Sequence, residues 1–292
     1  MKLKFKSIIL AISMTALLIS PMKSLADAAE GDVIITLGEN LTAEQKETVL
    51  NNLNAPEEAQ IITVSNKEEH DYLGDYIPKA QIGSKAISSS SITLGAKDSG
   101  ISVSTNNIQW VTDDMYINAL MTAGVKDAEI EITSPVPVSG TAALTGIIKA
   151  YEIQTDQVIP EDVKKVANEE MVQTAKLSDK VGAEKATELM TRVKEEIAKN
   201  EPQTEEDLRA LIERIASELG ITLTDAELDA LVDFFNKLKS MNIDWNQVKD
   251  QLAVTKEKVT TYLQSEEGQS FLQKLKDFLQ SLLDAIRAIF GA

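Results

Sequence analysis

Few residues of this sequence have the types and spacing that common catalytic or metal sites require. The chain has a single histidine, His70, and no cysteine. Zinc sites need several such ligands, and a serine or cysteine nucleophile would have to rely on His70 alone. His70 lies in a run of charged residues, so we interpret it as a solvent-facing side chain. We therefore predict no catalytic residue, no metal ligand and no bound cofactor.

Carboxylates are the remaining groups that could do chemistry. The chain has 46 aspartates and glutamates, so pairs such as Asp113 with Asp114 or Glu129 with Glu131 are not specific. Two carboxylates can nevertheless cleave a glycosidic bond without histidine or cysteine. The first hypothesis is a non-enzymatic binding protein at the cell surface. The alternative is a carboxylate-dependent hydrolase that acts on cell-wall material.

Two short polar segments could form a ligand or partner surface. A run of four serines lies inside a predicted strand, and the alternation of its apolar neighbours predicts that Ser89 and Ser91 are exposed. Such a strand is either a polar sheet edge or an edge to which a peptide adds as a further strand. The second segment, Ser139-Gly140-Thr141, leads into a predicted helix. Its backbone N–H groups could bind an anion, or Ser139 could be an ordinary N-cap.

The N-terminus has the three parts of a secretory signal peptide. Three lysines in the first six residues precede an apolar stretch at residues 8–19, which Pro21 ends. Small residues then provide signal-peptidase sites that end at Ala26 and Ala28. The apolar stretch is shorter than the roughly 20 residues that a membrane span needs. We predict that residues 1–28 are removed and that the protein is secreted, with no cysteine for lipid attachment.

The C-terminal segment, residues 268–292, predicts an amphipathic helix. Its apolar face carries Phe271, Leu275, Phe278, Leu282, Ile286 and Phe290. Such a helix could lie at a membrane interface or bind a partner, or it could close the core of the preceding helical domain. If the protein stays near the cell, this helix is the predicted tether. The expected partner is then another envelope protein or a wall component.

The overall charge narrows the class of partner. The chain carries 29 lysines and arginines against 46 acids, a net charge of −17. We expect no nucleic-acid partner, because phosphate contacts need clustered basic residues. Aromatic residues make up only 4% of the chain, so we expect aliphatic cores and no sugar cleft built on aromatic platforms.

The chain changes character near residue 155, which indicates two domains. Residues 29–154 mix strand and helix patterns and predict a layered α/β domain. Residues 155–267 follow helical periodicity and predict an all-α helical domain. The fold class is therefore α+β or α/β with a helical C-terminal part. The predicted strands lie at residues 33–37, 61–64, 87–94, 101–103 and 129–132, with a hairpin around residues 95–100.

Capping patterns mark the predicted helix starts. Thr42, Asn66 and Thr112 open helices in the α/β domain, and Ser139 opens its last one. Threonines followed three residues later by an acid open two helices of the second domain. The helices predicted there cover residues 160–178, 183–199, 205–219, 225–240 and 245–264.

One internal correspondence suggests a duplication. Residues 33–64 resemble residues 101–132, with matching positions at a spacing of 70. Each segment predicts strand, helix and strand, followed by a further helix, so the two could be related βαβα halves of one layered domain. Chance similarity between two short α/β units explains the match nearly as well.

Two stretches of the chain resemble the YpuA-like secreted proteins of Gram-positive bacteria. Residues 110–128 have the sequence WVTDDMYINALMTAGVKDA, and residues 139–152 have the sequence SGTAALTGIIKAYE. The resemblance covers most of the chain after the signal peptide. It implies an extracellular or envelope-associated role. The family's domain has no assigned function, so the resemblance transfers no catalytic residue.

Overall fold

The computed structural model describes residues 31–200 and 202–264, and the isolated positions Gln273 and Lys276. The predicted signal peptide with its cleavage sites lies outside these residues, as does the apolar face of the predicted C-terminal helix. Both stay predictions. None of the described helices is long and apolar enough to cross a membrane.

Five strands of the described chain form one mixed sheet. They are β1 Val33–Gly38, β2 Gln60–Val64, β3 Ser89–Leu94, β4 Ile101–Ile108 and β5 Ala128–Val138. Their order is β2-β1-β3-β5-β4. Strands β1 and β2 are parallel, as are β4 and β5, and β3 is antiparallel to both of its neighbours. The predicted strands are confirmed, although β4 and β5 extend beyond their predicted ends.

The hairpin predicted around residues 95–100 is wrong, because β5 lies between β3 and β4. The loop holds the start of β5 instead. The Gly95 N–H donates to the Asp127 carbonyl over 2.7 Å, and the Gly100 N–H donates to the Asp127 carboxylate over 2.9 Å. The alternating isoleucines of β5 are buried while the glutamate between them is partly exposed, as the alternation predicted.

Ten helices accompany the sheet in the part of the chain that the structure describes. They are α1 Ala43–Asn52, α2 Asn66–Leu73, α3 Lys79–Ile82, α4 Asp113–Thr122, α5 Ala143–Thr155, α6 Glu161–Val181, α7 Ala183–Lys199, α8 Glu205–Glu218, α9 Asp225–Ser240 and α10 Trp245–Gln264. The five helices predicted within residues 155–267 are confirmed. Their ends differ from the predicted ends by at most three residues.

Side-chain caps explain where several helices begin. Thr42 and Thr224 form complete capping boxes, as their sequence patterns predicted. The cap of α2 is Ser65 rather than the predicted Asn66. The Ser65 hydroxyl accepts from the Glu68 N–H over 3.2 Å, and the Glu68 carboxylate accepts from the Ser65 N–H over 2.8 Å. The predicted start was one residue too late, because Ser65 with Glu68 and Asn66 with Glu69 have the same capping-box spacing.

Helix α6 lies between the two main hydrophobic cores. The first core packs α4 and α5 against one sheet face and includes Ile92 and Ile130. The second core is enclosed by α7, α8 and α9 and includes Leu189. Helix α6 contributes Met171 to the first core and Val166 to the second. It therefore joins the α/β part to the helical part, while the predicted domain boundary stays a prediction.

The two segments that correspond in sequence both form a strand–helix–strand unit. The units β1-α1-β2 and β4-α4-β5 each join neighbouring parallel strands. Helix α1 packs on a small cluster with Ile35 and Leu37, on the sheet face opposite to the one that α4 covers. The duplication itself stays a prediction.

Candidate functional site

The predicted exposure of Ser89 and Ser91 is wrong, because β3 is the central strand of the sheet. Their exposed fractions are 1% and 6%. The Ser89 hydroxyl accepts from a backbone N–H of β1 over 3.3 Å. Ser90 between them lies on the opposite sheet face, where its hydroxyl contacts the Thr36 hydroxyl over 2.5 Å. A small side chain suits Ser90, since Gly146 of α5 approaches this face so closely that a Cβ there would lie 2.9 Å from the Thr36 hydroxyl. The serine run therefore serves packing, and strand addition at β3 is excluded.

The predicted helix start at Ser139 is also wrong, because α5 begins at Ala143. Gly140 has a φ of +95°, and its carbonyl accepts a hydrogen bond of 2.5 Å from the buried Tyr116 hydroxyl. Thr141 is 1% exposed. The Ser139-Gly140-Thr141 turn is thus packed against its own domain and is no exposed helix N-terminus that could bind an anion.

His70 is half-buried rather than solvent-facing. Its Nε2 lies 3.0 Å from the Gly83 carbonyl oxygen, which fixes the ring against the loop after α3. Its Nδ1 is buried and has no hydrogen-bond partner. Among the described residues, no group of three or more histidine, aspartate or glutamate side chains could hold a metal ion.

A cavity of about 190 Å³ lies where α2, α5 and α6 meet. Residues at helical spacing of three or four bring their side chains to one face of each helix, which explains how three helices can line one space. Helix α2 contributes Glu68 and Tyr72, α5 contributes Thr145, Ile148 and Lys149, and α6 contributes Lys164 and Asn168. None of these residues is predicted as a site from the sequence alone.

Ion pairs surround the cavity. Lys149 Nζ lies 2.6 Å from Glu68 Oε1, and Lys164 Nζ lies 2.9 Å from carboxylate oxygens of both Glu152 and Glu161. Burial raises the pKa of Glu68, but hydrogen bonds from Lys149 and its capping serine bring it below its usual value. The hydrogen bond from Lys164 lowers the pKa of Glu161. Both carboxylates are therefore ionised at neutral pH.

The cavity also contains two buried polar groups without a hydrogen-bond partner. Asn168 is fully buried; its Nδ2 donates to the Lys164 carbonyl over 2.9 Å, but its Oδ1 has no partner. Thr145 is 5% exposed, and its buried hydroxyl likewise has no partner. Leaving such a group unpaired costs about 1–3 kcal/mol. A ligand that paired both groups would recover that free energy, so the cavity is the candidate binding site.

Comparison with known proteins decides the family. The chain matches the family described as protein of unknown function (DUF1002) over residues 37–255. The chain belongs to this family. It is also 54% identical over 275 residues to the uncharacterized protein YpuA of Bacillus subtilis (strain 168), which covers 94% of this chain and 95% of that protein. The predicted resemblance to YpuA-like proteins is confirmed. No solved structure matches the chain.

The best signal for the cavity in this DUF1002 chain was a polar residue on an apolar helix face. Thr145 lies three residues before the inward-facing Ile148, and Asn168 lies three residues before the buried Met171. Polar residues inside an apolar stripe need a partner. The lysines gave no such signal, because lysines at these spacings are common on solvated helix faces.

A second polar cluster in the DUF1002 fold joins α4, α6 and α7. Lys194 Nζ lies 2.7 Å from Glu170 Oε1, and both side chains are fully buried. Lys194 also donates to the Asn118 carbonyl over 2.8 Å, and the Thr122 hydroxyl donates to Glu170 over 2.5 Å. Burial lowers the pKa of Lys194, and the Glu170 charge opposes this. The cluster positions helices and is closed to substrates.

Glu69 of the DUF1002 fold has a pKa raised close to neutral pH, as a general acid needs. Burial raises the pKa of Glu69 to about 7, although a hydrogen bond from Asn66 opposes the shift. Glu69 is only 1% exposed, so a wall polymer cannot reach it. It therefore does not support the hydrolase hypothesis.

Proposed function

We propose that this chain is an exported, non-enzymatic binding protein that acts at the cell surface, with the α2–α5–α6 cavity as its ligand site. The observation that supports this most directly is the unpaired Asn168 Oδ1 on the cavity wall. A fully buried acceptor without a partner lowers the stability of the free protein, as expected of a group retained for ligand binding.

The charges around the cavity favour binding over hydrolysis. Hydrolysis by paired carboxylates needs one acid that is protonated near neutral pH. The pKa values of Glu68 and Glu161 are instead lowered, so neither holds a proton there. Their ion pairs with Lys149 and Lys164 hold the cavity wall in place, which suits a preformed binding site.

The Asn168→Leu variant tests the ligand site. We expect it to be more stable than wild type by about 1 kcal/mol, because it removes a buried acceptor that lacks a partner. We expect it also to lose the rise in melting temperature that a ligand gives wild type in a thermal-shift panel of sugars, amines, carboxylates, free amino acids and short peptides. Asn51→Leu, at an exposed position on α1, is the control and should keep both properties of wild type.

Two results would contradict the proposal. If no compound of the panel shifts the melting temperature of wild type, or if a shift survives in Asn168→Leu, the cavity is not the ligand site. Release of soluble fragments from purified cell wall by the wild-type protein, above a heat-inactivated control, would instead favour the hydrolase.

Removal of the C-terminal segment tests whether the protein is held at the cell surface. Cells that secrete the protein without residues 268–292 are expected to release a larger fraction of it into the medium than cells with the full chain, because an amphipathic helix can hold a protein at a membrane surface. Fractionation into medium, wall and membrane followed by quantitative blotting measures this. Leu282→Lys should act like the truncation, whereas Gln280→Lys, at a polar position of the same segment, should not. Unchanged release would rule out the tether.

A further inference from the structure

Charged side chains of both signs lie at the cavity. The protein has a net charge of −17, but the side chains that line the cavity include two lysines and one glutamate. Glu152 and Glu161 pair with Lys164 without lining the cavity themselves. With these partners the cluster holds two ammonium groups and three carboxylates, so a ligand that enters it needs a positive charge of its own beside any anionic group.

Each lysine retains a donor for such a group. An ammonium carries three N–H donors. Lys149 uses one on the Thr63 carbonyl, over 3.0 Å, and one on Glu68. Lys164 has its two acceptors in Glu152 and Glu161. One N–H of each lysine is left to donate to the carboxylate of a ligand.

The polar groups of the cavity wall call for a hydrogen-bond donor on the ligand. Asn168 Oδ1 can only accept, because it is an amide oxygen, and the amide nitrogen already donates to the backbone. The Thr145 hydroxyl can donate or accept. Glu68 adds a negative charge beside them. A ligand that satisfies these groups carries a positively charged donor close to its own carboxylate.

The size of the cavity limits the rest of the ligand. A cavity of about 150 Å³ can hold benzene, with its six carbon atoms. The present cavity, of about 190 Å³, is slightly larger. It therefore admits a molecule of up to about eight non-hydrogen atoms, which includes glycine, alanine and serine.

We propose that the cavity binds a small free α-amino acid, whose carboxylate pairs with Lys149 and Lys164 and whose ammonium pairs with Asn168 Oδ1 and Glu68. This inference rests on the proposed function, since it names the ligand class of the same site. Ile148 gives the cavity an apolar wall, which suits an amino acid with a short side chain such as the methyl group of alanine.

Isothermal titration of the purified protein tests the ligand class. The probes are L-alanine, D-alanine and glycine, with L-lactate, acetate and ethylamine as analogues that lack the ammonium, the donor or the carboxylate. We expect an alanine enantiomer or glycine to bind at least tenfold more tightly than every analogue. Lys149→Met and Asn168→Leu should each weaken this binding at least tenfold. Lys67→Met, on the exposed side of α2, should leave it unchanged.

The outcomes separate this inference from the proposed function. If lactate, acetate or ethylamine binds as tightly as the amino acids, and Asn168→Leu abolishes that binding, the ligand class is wrong and the binding site stands. If Asn168→Leu binds amino acids like wild type, the ligand does not use the cavity. If none of the six probes binds while another compound of the thermal-shift panel does, the amino-acid inference alone fails.

Discussion

Lys194→Met is expected to destabilise the protein by about 3–5 kcal/mol, because it leaves the Glu170 carboxylate buried without its partner. Both side chains are fully buried, and their charged atoms lie 2.7 Å apart. The Asn118 carbonyl, which accepts from Lys194, also loses a bond. Urea unfolding at neutral pH, followed by circular dichroism, measures the free energy of unfolding.

Two further variants show whether the effect belongs to the buried pair. Lys67→Met removes an ion pair whose lysine is 82% exposed, and we expect a change within about 0.5 kcal/mol. The double variant Lys194→Met with Glu170→Leu replaces both charges by apolar side chains, so it should recover at least half of the loss. If the double variant is as unstable as the sum of the two single variants, the pair is not coupled.

Glu69→Gln is expected to stabilise the protein at pH 8 and to have no such effect near pH 4.5. Burial raises the pKa of Glu69 from 4.5 to about 7, so the folded protein binds this proton more tightly than the unfolded chain does. Ionisation of Glu69 therefore lowers the free energy of unfolding. This loss begins above pH 4.5 and no longer grows well above pH 7, where the charge of Glu69 no longer changes. Glutamine cannot ionise, so the variant should gain up to about 3 kcal/mol at pH 8.

The neighbouring glutamate provides a control of opposite sign. The pKa of Glu68 lies below its usual value, so its charge stabilises the folded state at neutral pH. Glu68→Gln should therefore destabilise the protein at pH 8, and the difference should shrink as the pH falls through the pKa of Glu68. Urea unfolding of both variants at several pH values tests this. A gain for Glu69→Gln that does not depend on pH would contradict the assigned cause.

The buried Lys194–Glu170 pair and the cavity together explain why α6 is central to this fold. Glu170 of α6 forms an ion pair with Lys194 of α7. Lys164 and Asn168 of the same helix line the cavity. A shift of α6 would disturb both. We therefore expect variants of the buried pair to weaken ligand binding as well as stability, whereas an exposed control should change neither.

The amino-acid sequence alone determined the local elements of this protein. Capping and periodicity predicted the helix starts at Thr42 and Thr224, the five helices within residues 155–267 and the alternation of β5, because all of these depend on near neighbours in the chain. Two runs of residues, 110–128 and 139–152, also sufficed to indicate the family, which the DUF1002 match confirms. The scarcity of histidine and cysteine led us to predict a protein without catalytic or metal-binding residues.

Only the tertiary structure decided which residues meet. The exposure of Ser89 and Ser91 depended on whether β3 is an edge or a central strand, and that order depends on where β5 inserts. The cavity depends on the convergence of α2, α5 and α6, whose residues are up to 100 positions apart. Contacts over such separations follow from packing of the whole core. A local pattern such as Lys164 with Asn168 has the same spacing on a solvated helix as on a binding site.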